Sequence, residues 1–230
     1  MAETRISIII PVLNEAGLLV QTLSALQPFR QRGHEVIVVD GGSKDDSIAI
    51  SNPYADRIIR TPRGRSRQMN GGAKLASGGI LLFLHADTFL PEDADRLIIE
   101  GINGREKSWG RFDVRLSGRH PLLRIIEFLM NWRSRLSRIA TGDQAIFVKR
   151  EIFEAIGGFS EIDLMEDIAL SKILKRVGQP ICLWQRVLTS SRRWETKGFF
   201  RTSFLMWSLR LAYFFKVDPK RLIKLYYPKG

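Results

Sequence analysis

Three short apolar runs in the first half of the chain each end in residues that could hold a nucleotide and its counter-ion. Residues 6–12 run into Leu13, Asn14 and Glu15. Residues 34–40 end in Asp40, followed by Gly41, Gly42 and Ser43. Residues 80–84 end in His85, Ala86 and Asp87. A buried parallel strand reads as a continuous apolar run, and ligands bind beyond the carboxyl ends of such strands. Asp40 and Asp87 are therefore expected to meet at one edge of one sheet. A carboxylate at a strand end can accept hydrogen bonds from a base or ribose, and the glycines permit close backbone approach. One oxygen ligand from Asp87, completed by diphosphate oxygens and water, suits Mg²⁺. His85 as a second ligand would shift the preference toward Mn²⁺.

Two further segments carry charge where chemistry could use it. Arg63, Arg65 and Arg67 precede a predicted helix that contains Gln68 and Asn70. Forked guanidinium donors and the positive end of a helix dipole both favour phosphate. No Gly-Lys-Ser/Thr is present, so this is not a P-loop. No Gly-x-Gly-x-x-Gly follows the first strand, which disfavours a dinucleotide site. Glu166 and Asp167 fall near a predicted helix start. Helical neighbours point about 100° apart, so one carboxylate can face a site while the other caps or pairs. A carboxylate facing a hydroxyl can act as general base. Taken alone, each segment also reads as an ordinary turn, cap or solvated loop.

The elements that must position these groups alternate, which argues for an α/β fold. Strands are expected at 6–12, 34–40, 56–60, 80–85, 108–116 and 144–149. Helices are expected at 15–26, capped by Asn14, after an N-cap at Ser43, and at 66–76, 92–101, 120–139, 163–177 and 199–217, with another after Lys149 ended by Gly157 and Gly158. The 230 residues suit one domain of ordinary core size. Cys182 is the only cysteine, which favours a reducing, cytoplasmic setting, and residues 6–12 are too short for a signal peptide. The net charge is +12, of which residues 186–230 carry +9. Such a basic end suits an anionic membrane or phosphorylated substrates. No zinc-finger spacing or aromatic RNA-binding signature accompanies it, so nucleic acid is not expected.

Together these residues resemble family 2 glycosyltransferases. The matching segments are Pro11 to Glu15, Asp40, Asp87, Gly142-Asp143-Gln144, Gly157-Gly158-Phe159 and Glu166-Asp167 followed by Ile168. The resemblance covers about residues 5–195. It implies an α/β glycosyltransferase A-type fold, a mostly parallel nucleotide-binding sheet flanked by helices. It also implies inverting transfer from a nucleotide diphosphate-sugar to an acceptor hydroxyl. On this reading residues 1–115 form the donor half, 116–198 the acceptor half and 199–230 a basic aromatic tail of a single domain. Asp40 would hold the nucleoside. Asp87, with His85 as a tentative partner, would hold a divalent Mg or Mn ion. Asp167 would be the base, with Glu166 beside it. Pro11, Asn14, Glu15, Gly41, Arg63, Arg65, Gln68, Asn70, Asp143, Gln144, Arg193 and Trp194 would lie on the substrate side.

Two departures stand out. His85 replaces the first acid of the family's Asp-x-Asp, and Ser191-Arg192-Arg193-Trp194 only faintly resembles the Gln-x-x-Arg-Trp signature of processive members, so no polymerase is implied. Aromatic and basic residues in 199–230 point to a membrane-surface tail at the inner face and a lipid-linked acceptor. The competing expectations are a C-terminal helix packed on the core, a non-catalytic nucleotide-sugar binder and a membrane-surface scaffold.

Overall fold

The structure, a computed structural model, describes residues 4–104 and 107–226. The last four residues of the basic tail, 227–230, lie outside the described residues. In chain order the elements are β1 (Ile6–Val12), α1 (Ala16–Ala25), α2 (Gln27–Gln31), β2 (Glu35–Asp40), α3 (Ser47–Ser51), β3 (Arg57–Arg60), α4 (Arg65–Leu75), β4 (Ile80–Phe83), β5 (Thr88–Phe89), α5 (Ala94–Gly104), β6 (Trp109–Leu116) and α6 (Pro121–Ser137). A 3-10 turn at Gly142–Gln144 follows, then β7 (Phe147–Lys149), α7 (Arg150–Ala155), α8 (Glu166–Val177), β8 (Ile181–Thr189), α9 (Arg192–Lys197), α10 (Phe199–Phe214) and α11 (Pro219–Tyr226).

The eight strands form one sheet in the order β3-β2-β1-β4-β7-β6-β8-β5. Parallel pairings join β3, β2, β1 and β4, and again β6 and β8, while β7 and β5 run antiparallel to their neighbours. Six strands therefore point one way, and their carboxyl ends share one edge. The alternation of the strand period divides the core between the two faces. Ile6, Ile8, Ile10 and Val12 pack with Leu19, Leu23, Ile98 and Phe112. Ile9, Ile37, Val39 and Leu81 pack with Met69, Ala73, Phe153 and Leu174.

The sheet cannot be flat. β4 and β5 are four strand positions apart, which would be about 19 Å in a flat sheet. Only Leu84 to Asp87 join them, and that link spans at most about 18 Å when stretched. It is not stretched: Thr88 N donates to His85 O at 3.1 Å, closing a turn. The sheet must curl until β8 and β5 come round to the end of β4. Thr88 and Thr189 hydroxyls then meet at 2.9 Å, and Thr22 Oγ1 donates to Ala86 O at 2.6 Å from α1.

The second half is stitched on by polar side chains. β7 pairs with β6 only at Trp109 and Gly110. Beyond that point α6 satisfies the backbone instead. Asn131 accepts from Val114 N at 2.8 Å and donates to Val114 O at 3.0 Å. Glu127 accepts from Leu116 N, and Arg124 donates to Leu116 O at 2.7 Å. Buried Asp113 pairs with Arg111 and, at 2.9 Å, with Arg135, whose guanidinium lies 3.3 Å over Trp184.

Several expected boundaries move. Asn14 does not cap α1; it sits at φ 55° and its Oδ1 accepts from Lys44 N at 2.8 Å. The start of α1 is held from the next loop, by Ser47 Oγ on Glu15 N and Asp45 Oδ2 on Ala16 N. Ser43 caps nothing either: its hydroxyl accepts from Asn14 N, and the helix begins only at Ser47. β4 ends at Phe83 rather than residue 85, because Leu84 to Asp87 form the turn to β5. The strand expected from 144 starts at Phe147, because Gly142–Gln144 close a 3-10 turn. α8 starts at Glu166 rather than 163, after Met165 at φ 69°. α10 stops at Phe214, and the basic end continues as α11.

Gly110 is fixed by close approach. It faces Phe147 on one neighbour and Ile181 on the other, and an added Cβ would lie 2.5 Å from the Ile181 carbonyl oxygen. A backbone atom in a central strand cannot step aside. Gly110→Ala should therefore cost about 2 kcal/mol or more through overpacking. Urea unfolding checks it: the midpoint falls with the slope unchanged, and an unchanged midpoint would refute the close packing of β6 against β8.

Candidate active site

A cleft of about 790 Å³ opens at the carboxyl edge of the curled sheet. Its floor is the ends of β1, β4, β6 and β8, represented by Pro11, His85, Asp87, Leu116 and Thr189. One wall is the start of α4 with Arg63, Gly64 and Arg65. A second part of the wall is α6 and α10, with Leu129, Met130, Arg133, Met206, Trp207 and Arg210. Arg192, Arg193 and Trp194 of α9 close one end. This is the crevice where strand order reverses, between β1 and β4, the usual place for a ligand in an open α/β sheet.

Of the residues singled out from sequence, Pro11, Glu15, Arg63, Arg65, Gln68, His85, Asp87, Asp143, Glu166, Arg193 and Trp194 line the cleft. Five acidic residues line it: Glu15, Asp87, Asp143, Asp163 and Glu166. Burial pushes the Glu15 carboxyl up, and the nearby charge of Asp87 pushes it further, while Arg192 and Arg65 pull back. Asp143 Oδ1 lies 3.3 Å from His85 Nδ1. Burial raises its carboxyl, but the His85 hydrogen bond and charge, with Arg65 and Arg210 behind, hold it down at about 2. Glu166 is only 6% exposed. Burial and then the charge of Asp167 lift its carboxyl to about 6.

His85 is committed to its neighbours. Nδ1 faces Asp143, and the Nε2 side is pressed against Gly142, where an added Cβ would overlap the ring. Asp167 turns to the same loop: Oδ2 accepts from Gly142 N at 2.8 Å and Oδ1 from Ile168 N at 2.7 Å. Its charge is felt at Arg133 and Tyr213, on the α6 and α10 side.

The other expected residues hold the frame. Asp40 is fully buried and accepts from Gly42 N and Ser43 N at 3.1 and 3.0 Å, with Arg60 at 3.6 Å. Gly41 packs on the Gln68 amide, where an added Cβ would come within 2.9 Å. Gln68, though at the cleft floor, donates to both Val12 O and Val39 O and so clips the ends of β1 and β2 together. Asn70 bonds both backbone groups of Phe159. Gln144 accepts from Thr141 N at 3.2 Å within its own turn. Asn14 is exposed outside the cleft.

Sequence reasoning missed Arg133, Arg192 and Arg210, and the apolar Leu129, Met206 and Trp207. Arg133 was findable: it is a charged residue three and four positions from Met130 and Leu129 on a helix row that is otherwise apolar. Strain gathers beside the cleft. Asn14, Ala145 and Met165 all take left-handed φ, next to Glu15, Gln144 and Glu166. Such positions cost of order 1–3 kcal/mol and concentrate at functional sites.

Residues 7–160 match the family model described as glycosyl transferase family 2. The chain belongs to that family. A "Probable glycosyltransferase YdaM" of Bacillus subtilis is 26% identical over 251 residues, covering 95% of this chain and 60% of its own length. A "PGL/p-HBAD biosynthesis glycosyltransferase" of Mycobacterium bovis is 35% identical over 176 residues, covering 70% of this chain and 65% of its own. This family 2 chain thus spans 60 to 65% of the length of those curated relatives. Among solved structures, the mannosyltransferase PcManGT of Pyrobaculum calidifontis, in complex with GDP-Man and Mn²⁺, superposes with a TM-score of 0.65 at 20% identity. It covers 90% of this chain and 61% of that one. The fold is the glycosyltransferase A type.

The raised Glu166 carboxyl has a consequence for stability. A group with a raised folded-state value stabilises fully below its ordinary value, near 4.5, and loses that contribution as pH rises through about 6. Gln carries no such loss. Glu166→Gln should therefore be more stable than the native protein by about 1–2 kcal/mol at pH 7.5, with the gap vanishing near pH 4.5. Thermal melts at both pH values check this, and a gap of equal size at both would contradict it.

Proposed function

We propose that this chain transfers a sugar, with inversion, from a nucleotide diphosphate-sugar to an acceptor hydroxyl. The observation that carries the reading is the convergence of the α4 N-terminus, Arg63, Arg65, Asp87 and Glu166 in a single cleft, with Asp167, the neighbour of Glu166, bonded to Gly142 N. Helix N-terminus and guanidinium groups suit a diphosphate. Asp40 keeps the β2 loop in place beside the nucleoside. The acceptor oxygen attacks the anomeric carbon as the bond to the diphosphate breaks, and the acceptor proton passes to Asp167. Hydrogen bonds from Gly142 N and Ile168 N set its orientation.

A divalent Mg or Mn ion fits the donor side. Among the described residues no three His, Cys, Asp or Glu are grouped as a metal cage. Asp87 nevertheless crowds Glu15 with like charge, a repulsion that a cation relieves, and its hard oxygen suits such an ion. Substrate oxygens would complete the ligand set. When bound, the ion supplies positive charge against the leaving diphosphate. His85, turned to Asp143, is left out of the ligand set.

The same reading places the protein at an anionic membrane surface, facing a lipid-linked acceptor. The tail does two jobs with two faces. Leu205, Leu209, Ala212 and Leu222 pack on Leu164, Met165 and Ile168 of the domain. Phe200, Phe204, Trp207, Leu211 and Phe214, spaced along the other face of α10, are all more than half exposed. On α6, Ile125, Phe128, Trp132 and Leu136 are exposed in the same way. Leu129 and Trp207 carry this apolar surface to the mouth of the cleft. Among the described residues no helix is long and apolar enough to cross a membrane. An apolar face ringed by Lys and Arg suits the headgroup region, each cation adding about 1 kcal/mol near an anionic surface.

Calorimetry with nucleoside diphosphates separates the roles within the site. Asp87→Ala should abolish the extra affinity that Mg²⁺ or Mn²⁺ confers. Asp167→Asn should leave that affinity intact while cutting transfer by at least about a hundredfold, the usual size of general-base help. If chelator leaves native affinity unchanged, the metal assignment is wrong.

Co-sedimentation tests the surface. The native protein should bind anionic vesicles, less so as salt rises, and Phe204→Ser with Trp207→Ser should lose that binding without loss of fold. Equal, negligible binding to anionic and neutral vesicles would leave a water-soluble acceptor as the better assignment.

A further inference from the structure

The transferase reading leaves one strong feature of the cleft without a task. Arg133 projects from α6 into the cleft wall, yet its Nε and Nη2 are buried and, among the described residues, have no hydrogen-bond partner. Its remaining nitrogen, Nη1, reaches only Ile139 O at 3.5 Å. Arg210 of α10 lines the same wall. The two guanidiniums repel: burial, and next the charge of Arg210, push Arg133 down to about 10. Neither nearby acid makes an ion pair with Arg133. Asp143 is taken by His85, and Asp167 points its oxygens at Gly142 N and Ile168 N.

A buried guanidinium without a partner is costly, and removing water from it is repaid only by a paired anion. A fork of free N–H donors beside a second cation is built for a planar or tetrahedral oxyanion with more than one charge. The wall that carries it is α6 and α10. It is also the wall that feels the charge of Asp167. The anion held there therefore belongs to the acceptor.

We propose that the acceptor carries a phosphate monoester, bound by Arg133 and Arg210 at the acceptor wall of the cleft. This rests on the transferase reading for the word acceptor, but the phosphate site itself does not. Held there, the phosphate places the acceptor hydroxyl beside Asp167. The phosphate is either that of a soluble molecule or that of a lipid whose chain follows Leu129, Met206 and Trp207 out of the cleft. The chemistry recognised is the same.

The test uses the full chain and two probes, glycerol 3-phosphate and monomeric dodecyl phosphate, titrated calorimetrically with and without saturating UDP or GDP and Mg²⁺. At least one probe should bind. Arg133→Gln should weaken it by about tenfold or more, the loss expected for a charge-assisted hydrogen bond. Nucleoside diphosphate affinity should not change. Arg210→Gln serves as an independent variant should Arg133→Gln not fold. Dodecyl phosphate binding tighter than glycerol 3-phosphate, with the difference lost in Trp207→Ala, assigns a lipid phosphate; equal binding assigns a soluble one. The proposal falls if neither probe binds, or if both arginine variants bind phosphate as the native protein does. It also falls if they weaken nucleoside diphosphate as much as phosphate, which would move Arg133 to the donor. Failure of the transferase reading is separate: neither UDP nor GDP binds, whatever the phosphates do.

Discussion

The short link between β4 and β5 governs this molecule. Four residues must carry the chain from the middle of the sheet to its far edge, so the edge has to come to them. That one constraint curls the sheet and sets Asp87 near Glu15. It also brings the ends of β6 and β8, and through β8 the arginines of α9, round to the ends of β1 and β4. A flat sheet with the same strands would leave Asp87 and Arg192 on different sides of the protein.

The two halves around the cleft are held by different physics. The first half is a run of parallel strands, of which β1, β2 and β4 are buried and stabilised by apolar packing. The second half depends on polar side chains that bond the edge of β6 directly: Asn131, Glu127 and Arg124 on α6. Because α6 holds the sheet with one face, another is free to line the cleft and a third to lie open to the surroundings. α10 repeats this division, with one seam against Met165 and Ile168 and the opposite face apolar and uncovered.

Much of the first half was legible from sequence because buried parallel strands announce themselves. The bounds of β1 were read without error, and those of β2 within one residue. β8 was missed for a physical reason. Its middle, Trp184 to Arg186, is not buried, and it bulges opposite Phe112 and Asp113, so neither an apolar run nor an alternation is visible. β5 is two residues long and exists only through its pairing with β8. At the site, Glu15, Asp87, Asp143, Glu166, Arg63, Arg65 and Arg193 were singled out by type and position and line the cleft, whereas Asp40 and Asp167 are not among its lining residues. Gln68, Asn70 and Gln144 were read as substrate groups, yet their amides bond backbone. A polar side chain beside glycine looks the same in sequence whether its partner is a ligand or a carbonyl. Arg133 and Arg210 escaped because an arginine in a helix ordinarily signifies solvent.

The pairing of Thr88 with Thr189 joins residues 101 apart in the chain. Closing so long a loop is slow, since its entropy must be lost before the contact returns anything. The parallel strands β1 to β4 need only local crossovers and can assemble while the rest of the chain is still being synthesised. The cleft has no such early form. Its far wall is absent until β8 and the helices after it have left the ribosome. A growing chain therefore acquires a folded core well before it acquires a place to bind anything, and a truncated product would be compact, soluble to the eye of a folding assay, and empty-handed.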